Sequence, residues 1–171
     1  QKEVDSLMDL FLDFFDHYED KLAAEGVRLR FSGEIDALPL KVQETVQKAE
    51  AQSIERNNLH LIVAFNYGGR REIVQATQKL VDKCLAGQLT SELITEDEFA
   101  KYLYLPDVPD PDLIIRPSGE LRLSNFLLWQ SAYSEFWFSD VLWPDFSKDD
   151  LADAINDYAS RQRRFGGVKG E

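Results

Sequence analysis

Two arginines and a serine stand close together in the second half of the chain, directly after a short apolar run. Arg116 follows the run 113–115, and Arg122 and Ser124 come shortly afterwards in a polar stretch where Ser124 is placed to cap a following helix. Planar guanidinium groups match phosphate oxygens, and a helix N-terminus adds N–H donors. These residues predict a diphosphate-binding loop. The alternative is an ion pair between an arginine and Glu120.

A single carboxylate, Glu135, interrupts the apolar run 133–138. Burying a carboxylate is costly unless the group is paired or binds a metal. Mg²⁺ is commonly bound by one or two carboxylates together with substrate phosphates and water. Glu135 is therefore a candidate magnesium ligand beside a diphosphate, and a structural salt bridge is an equally good explanation on these grounds alone.

Two glycine-containing segments are further candidates for contact with an anion. Residues 66–70, Asn-Tyr-Gly-Gly-Arg, lie where a predicted strand ends and a helix begins, which is the edge at which ligands bind in open α/β sheets. Near the C-terminus, Arg161, Arg163 and Arg164 precede the segment 165–167, Phe-Gly-Gly. The alternatives are a tight turn for the first segment and favourable charge at a helix end for the second.

The elements that must position these residues alternate between helices and strands. The patterns predict helices over 3–25, 38–56, 70–85, 96–102 and 147–164, a short helix near Asn125, and strands over 27–31, 59–65, 113–115 and 133–138. This alternation predicts an α/β fold with a largely parallel central sheet flanked by helices. No repeat, low-complexity segment or linker interrupts it, so we expect residues 1–171 to form a single domain.

Three of these elements carry predictions about burial. The first helix has a broad stripe rich in Phe, which either faces the core or lines a cavity for a long apolar ligand. The nearly continuous apolar run 59–65 predicts a central parallel strand covered on both faces. The inward face of the third helix is predicted to hold Ile73, Thr77, Leu80, Val81 and Cys84.

The composition limits the classes of partner. The chain has 171 residues, of which 44% are hydrophobic, enough to fill the core of a domain. A net charge of −12 argues against binding to nucleic acid and against a polybasic anchor, so we expect at most a peripheral association with membranes. The single cysteine, Cys84, excludes an internal disulfide and favours a reducing compartment. Because the sequence has neither a membrane-spanning run nor a signal peptide, we expect a soluble cytoplasmic protein.

The order of several motifs resembles that of the cis-prenyltransferase family, and more closely that of its bacterial undecaprenyl pyrophosphate synthases. The motifs are Asn66-Tyr-Gly-Gly-Arg70, Leu113-Ile-Ile-Arg-Pro-Ser-Gly-Glu120, Arg122-Leu-Ser-Asn-Phe-Leu-Leu-Trp-Gln130, Leu142-Trp-Pro-Asp-Phe146 and Arg163-Arg-Phe-Gly-Gly167. The resemblance covers essentially the whole chain, and the motifs occur in the same order as in the family.

This resemblance implies a homodimeric, Mg²⁺-dependent enzyme that adds isopentenyl diphosphate units in cis to an allylic diphosphate such as farnesyl diphosphate. The product would be a long-chain polyprenyl diphosphate, a lipid carrier for cell-wall synthesis. The residues that match those holding isopentenyl diphosphate are Arg116, Arg122, Leu123 and Ser124. Glu135 matches the magnesium-binding glutamate at that site. Arg164 and Gly166 match an Arg-x-Gly motif that in this family reaches the diphosphate site of the partner subunit.

The resemblance also implies a hydrophobic tunnel walled by the first helix and the strand 59–65, with Leu59 near its closed end. The family's Asp-Gly-Asn-Gly-Arg-Trp motif and Asn-Trp-x-Arg-Pro loop are absent from this sequence. We therefore expect no catalytic residue in this chain and no activity from it alone. Pro117 stands where a threonine is usual. Two alternatives are a catalytically silent accessory subunit of the same family and a generic phosphate-binding α/β hydrolase, which needs no tunnel.

Overall fold

A computed structural model describes residues 2–162, and the side chains of all of these except residues 2–5, 7, 9 and 16. The helices are α1 (Lys2–Ala24), α2 (Leu40–Ser53), α3 (Gly69–Leu85), α4 (Glu96–Ala100) and α5 (Lys148–Ser160). The strands are β1 (Val27–Ser32), β2 (Leu59–Ala64), β3 (Leu113–Arg116) and β4 (Glu135–Phe138). Helices and parallel strands alternate along the chain, so the predicted α/β class is confirmed.

The chain divides into two compact units, Gln1–Gly68 and Gly69–Glu171. Each unit contains a pair of parallel strands, β1 with β2 in the first and β3 with β4 in the second. The prediction of a single domain over residues 1–171 stays a prediction, as does the tunnel.

The core of the first unit lies where α1 and α2 pack against β1. Alternation along β1 buries Val27, Leu29 and Phe31, while the arginines between them are only half-buried. From α2, Val46 and Ala49 join this cluster, and α1 contributes Phe15. Because apolar side chains recur at helical spacing in α1 and α2 and at alternate positions in β1, their local patterns suffice to build this core.

The edge of β1 that faces away from β2 is covered by side chains of α2. The hydroxyl of Ser53 accepts a hydrogen bond from the backbone N–H of Leu29 at 2.9 Å. A carboxylate oxygen of Glu50 accepts one from the N–H of Phe31 at 3.0 Å. Ser53 is fully buried, and these two acceptors satisfy N–H groups that an edge strand would otherwise leave unpaired.

The stripe on α1 is only partly inward. Phe15 is 4% exposed, whereas Phe14 is 40% and Tyr18 is 47% exposed. The rings of Phe14 and Tyr18 stack on each other with centroids 4.7 Å apart. Part of the stripe therefore builds the core, and another part presents aromatic rings at the surface of the described structure.

β2 does not have the central, doubly covered position predicted for it. It is parallel, as expected, but within the described residues it pairs only with β1, in a register that runs from Val27 with Leu59 to Ser32 with Ala64. Leu59 is 58% exposed. The prediction was wrong because a continuous apolar run shows only that a strand can be buried on both faces. Whether other elements cover those faces depends on residues far away in the sequence, which the run does not specify.

In the second unit, the connection from β3 to β4 contains no helix. The sequence predicted one near Asn125, capped by Ser124, and this prediction is wrong. Ser124, Asn125 and Leu127 have φ of 49°, 66° and 45°, respectively. The left-handed region is incompatible with a right-handed helix, so the segment folds as a series of turns.

Two further helices differ from their predictions in detail. The buried residues of α3 are Gly69, Glu72, Ala76 and Leu80, whereas Val81 is 50% exposed. Leu80 is buried as predicted, but the rest of the inward face lies on a different stripe of the helix from the predicted one. The packing of α3 against its neighbours, and not the position of its apolar residues alone, decides which side faces inward. α5 begins after Ser147, whose side chain caps it, but ends at Ser160 and not at the predicted residue 164.

Candidate active site

Arg116, the last residue of β3, lines a cavity of about 300 Å³. Arg122 also lines this cavity. Its apolar walls come from β3, β4 and the segments that follow them: Ile114, Ile115, Pro117, Leu123, Phe126, Phe136, Phe138 and Trp143. The cavity thus joins two cationic side chains to an aromatic and aliphatic surface, a combination suited to a ligand with an anionic head and an apolar tail.

The guanidinium of Arg116 lies against the hydroxyl of Ser124, as the sequence predicted for a shared site. Its Nη2 is 3.4 Å from Ser124 Oγ, a long hydrogen bond. Its Nε is buried and has no hydrogen-bond partner among the described residues. A buried donor without a partner is unusual and is satisfied if an anion or water binds beside it.

Arg122 is paired with Glu120, as the alternative interpretation of the sequence proposed. The side chain of Arg122 is 67% exposed and that of Glu120 is 33% exposed, so the pair lies near the surface. An exposed ion pair contributes little free energy. The Oε2 atom of Glu120 is nevertheless buried, so an anionic ligand that replaces Glu120 as the partner of Arg122 requires this oxygen to gain access to water.

Glu135 is not brought together with Arg116. In the register of the strand pair, Glu135 lies beside Leu113 at the start of β3, whereas Arg116 lies beside Phe138 at its end. Three residues of a strand span about 10 Å, and side chains three apart point to opposite faces. Glu135 and the cavity lined by Arg116 and Arg122, called the arginine cavity below, are therefore separate features of this strand pair.

The partner of Glu135 is Arg161, the residue at the end of α5. Arg161 Nη1 donates to Glu135 Oε2 at 2.8 Å, and its Nη2 donates to Asp157. These hydrogen bonds, first the one to Glu135, raise the pKa of Arg161. The salt bridge that the sequence analysis kept as an alternative is therefore present.

Glu135 fits a magnesium ion only as a single-carboxylate ligand. The described residues contain no group of three or more His, Cys, Asp or Glu side chains arranged to hold a metal. Mg²⁺ at Glu135 would need phosphate and water oxygens to complete its coordination. The tail residues Arg164 and Gly166, predicted to contact a diphosphate, lie outside the described residues.

The chain matches the family model described as "Putative undecaprenyl diphosphate synthase" over residues 1–166. It is 52% identical to an isoprenyl transferase from Thermotoga maritima over 168 residues, which cover 98% of this chain and 71% of that protein. The chain belongs to the undecaprenyl diphosphate synthase family. The resemblance read from the motifs is thereby confirmed.

Other family members agree with this assignment in sequence and in structure. An isoprenyl transferase from Heliobacterium mobile is 48% identical, with 98% of this chain and 64% of that protein covered. The crystal structure of lavandulyl diphosphate synthase from Lavandula x intermedia, in complex with dimethylallyl diphosphate, superposes with a TM-score of 0.94 at 37% identity, covering 98% of this chain and 72% of that one. That of a probable undecaprenyl diphosphate synthase from Campylobacter jejuni gives 0.86 at 32% identity, covering 98% and 76%. The chain therefore spans about two thirds of the length of these curated relatives.

The family fold is reached here without a membrane-crossing helix in the described part of the chain. None of the helices within residues 2–162 combines the length and the apolar composition needed to span a bilayer.

In the motif that opens α3, backbone N–H groups are used within the protein. The N–H of Gly69 donates to the carbonyl oxygen of Asn125 at 2.7 Å, and the N–H of Arg70 donates to Asn125 Oδ1 at 2.8 Å. These two donors are therefore not available to a phosphate while Asn125 holds them. The role of this turn as a structural junction is the one that the contacts favour.

Sequence reasoning missed a buried carboxylate beside this junction. Glu72 is 1% exposed. Its oxygens accept hydrogen bonds from Gln130 Nε2 at 3.1 and 3.2 Å, and Oε1 also accepts one from the N–H of Tyr104 at 3.1 Å. The signal was present, since Glu72 shares helical spacing with Ala76 and Leu80, and an acidic residue in an apolar stripe requires donors.

Proposed function

We propose that this chain provides the isopentenyl diphosphate site of a cis-prenyltransferase. The enzyme would condense isopentenyl diphosphate in cis onto an allylic diphosphate such as farnesyl diphosphate and make a long-chain polyprenyl diphosphate. The observation that carries the proposal is the cavity in which Arg116 and Arg122 stand beside apolar walls, with the hydroxyl of Ser124 lying against Arg116. Family membership supports the reaction class.

In this proposal the two arginines and Ser124 hold the diphosphate of isopentenyl diphosphate. The buried Nε of Arg116 is a donor in need of an acceptor, and its Nη2 already lies near Ser124. Arg122 would exchange Glu120 for a phosphate oxygen. Charge-assisted hydrogen bonds to phosphate are stronger than those between neutral groups, and they fix the orientation of the bound molecule.

The apolar walls would hold the five-carbon part of the substrate away from water. Leu123 and Phe126 line the cavity on the loop side, and Phe136 and Phe138 line it from β4. Burying hydrocarbon is worth roughly 0.8 kcal/mol per CH₂, or about 4 kcal/mol for a five-carbon unit. Exclusion of water also protects a reactive allylic centre against hydrolysis.

We propose that the Mg²⁺ of this family binds Glu135, whose half-buried carboxylate is paired with Arg161 and lies at the opposite end of the strand pair from Arg116. When bound, the ion would neutralise part of the charge that develops on a departing diphosphate. Homodimer formation and a contact of Arg164 and Gly166 with the diphosphate site of a partner subunit belong to the same proposal. So does the expectation that the catalytic aspartate lies outside this sequence.

The proposal is tested with the complete protein that contains this chain. Labelled isopentenyl diphosphate is incubated with farnesyl diphosphate, with Mg²⁺ or with excess EDTA, and the products are separated by length. We expect Mg²⁺-dependent incorporation of several isopentenyl units into an extractable polyprenyl diphosphate. Absence of incorporation, in protein that still binds a related prenyltransferase subunit, would favour the catalytically silent accessory subunit.

A further inference from the structure

We infer that Asn125 is a positioning residue that fastens the loop carrying Arg122 and Ser124 to the first turn of α3. The inference rests on the proposed function for its substrate. It concerns residues that do not line the arginine cavity themselves. A loop made of turns has little rigidity of its own, so something outside the loop must hold its side chains in place.

Asn125 makes two contacts with α3, one through its backbone and one through its side chain. Its carbonyl oxygen accepts from Gly69 N–H at 2.7 Å, and its Oδ1 accepts from Arg70 N–H at 2.8 Å. Both distances are at the short end of the range for N–H···O hydrogen bonds. The two N–H groups belong to the start of a helix, where no carbonyl within the helix is available to them. The contacts therefore satisfy donors that α3 cannot satisfy itself.

The backbone conformation of Asn125 is one that few residue types adopt without strain. Its φ of 66° lies in the left-handed region, which asparagine tolerates better than most residues do. The neighbouring Ser124, at φ 49°, shares this conformation. Ser124 is the hydroxyl that lies against Arg116, so the position of that hydroxyl follows directly from where Asn125 is anchored.

Two additional contacts fasten the same segment to α3 beyond Asn125. Gln130 donates to both carboxylate oxygens of the buried Glu72, at 3.1 and 3.2 Å. At Gly69 an added Cβ would lie 2.9 Å from Leu128 Cγ and 3.0 Å from Leu128 N, so the segment packs directly on the helix backbone. The loop is thus attached to α3 at three successive points, of which Asn125 directly follows Ser124 in the sequence.

The test compares two variants of Asn125 in the complete protein. Asn125→Gly keeps the left-handed backbone without strain and removes Oδ1, whereas Asn125→Asp keeps an acceptor oxygen. Asn57→Gly, at an exposed asparagine between α2 and β2, is the matched control. Two readouts are taken: hydrogen exchange of the peptide 122–130, with a peptide from α5 as reference, and the steady-state and equilibrium binding parameters for isopentenyl diphosphate.

We expect Asn125→Gly to exchange about fivefold faster over 122–130, with the α5 peptide unchanged. The Kd and the KM for isopentenyl diphosphate should rise about 5- to 30-fold, while kcat at saturation stays within about threefold of wild type. Asn125→Asp should restore the exchange rate of the peptide 122–130, because it keeps an acceptor oxygen, and Asn57→Gly should leave both readouts at the wild-type level. A purely structural role would instead lower the amount of folded protein without changing the Kd of the remainder.

Unchanged exchange in Asn125→Gly would overturn the fastening role. Faster exchange with an unchanged Kd would show that the loop is held by Asn125 but that the substrate does not depend on it, which also overturns the inference. If wild-type protein bound no isopentenyl diphosphate, the proposed function would fall. The exchange data would then separately decide whether Asn125 holds the loop.

Discussion

Both the positive charge and the planar shape of the Arg116 guanidinium contribute to the proposed site. One nitrogen lies near Ser124 and another is buried without a partner among the described residues. An ammonium group would keep the charge and still has three donors, but it lacks the planar fork that aims separate N–H groups in fixed directions at the hydroxyl and at a phosphate oxygen. The site we propose therefore depends on the guanidinium and not on positive charge alone.

Arg116→Lys should consequently weaken the binding of isopentenyl diphosphate by roughly 10-fold or more, although net charge is preserved. Calorimetric titration of the complete protein measures this. Arg28→Lys, at a half-buried position of β1, is the matched control, and this variant should bind isopentenyl diphosphate as the wild type does. An Arg116→Lys variant with wild-type affinity would remove Arg116 from the proposed site.

At the scale of the element, α5 shows how a local sequence signal controls stability. Ser147 caps the helix by accepting from the N–H of Asp150, and Asp150 accepts in return from the N–H of Ser147 at 2.8 Å. The hydrogen bond from the Ser147 hydroxyl, followed by that from its backbone, lowers the pKa of Asp150. A carboxyl whose pKa is depressed by folding stabilises the native state when it is ionised.

Ser147→Ala should lower the free energy of unfolding by about 1 kcal/mol at pH 7. Because the pKa of Asp150 is lowered in the folded state, its contribution is complete above its ordinary pKa of about 3.9 and is lost as the pH falls toward the folded value. The difference between wild type and Ser147→Ala should therefore shrink below about pH 4. Urea unfolding at pH 7 and at successively lower pH measures it.

Ser160→Ala is the control for this prediction. The hydroxyl of Ser160 donates to the carbonyl of Asp157 in the last turn of the same helix and involves no carboxylate. Its effect on stability should be small at both pH values. A Ser147→Ala difference that stays constant between pH 7 and pH 3 would contradict the assigned role of Asp150.

At the scale of the whole molecule, the proposed homodimer makes a prediction that one chain cannot satisfy alone. The resemblance implies that Arg164 acts at the diphosphate site of the partner subunit, whereas Arg116 acts in its own subunit. Arg164→Ala and Arg116→Ala should therefore each be inactive as homodimers. A mixed dimer of the two variants should contain one intact site, built from the Arg116 of one subunit and the Arg164 of the other.

Mixing equal amounts of the two variants under conditions of subunit exchange should restore about a quarter of wild-type activity, because half of the dimers are mixed and each has one intact site of two. Condensation activity after exchange, with either variant alone as the control, is the measurement. No recovery, with exchange verified by differently tagged subunits, would place Arg164 at its own subunit's site or remove it from catalysis.

The sequence by itself determined the class of fold, the helices α1 to α5 within a few residues, and the candidate residues Arg116, Arg122 and Ser124. These follow from patterns that are local: the periodicity of apolar side chains, the cap at Ser147, and the placement of arginines after a strand. The same local patterns led to a helix near Asn125 that does not form, since successive left-handed residues in that segment cannot continue a helix.

Only the tertiary structure decided which distant groups meet. Glu72 and Gln130 are 58 positions apart, and Asn125 is 55 positions from Arg70. Glu135 pairs with Arg161 at a separation of 26 positions. Hydrogen bonds and ion pairs of this kind depend on how helices and strands pack, which periodicity does not encode. The buried carboxylate of Glu72 and the contacts of Asn125 with the first turn of α3 therefore became visible only in three dimensions.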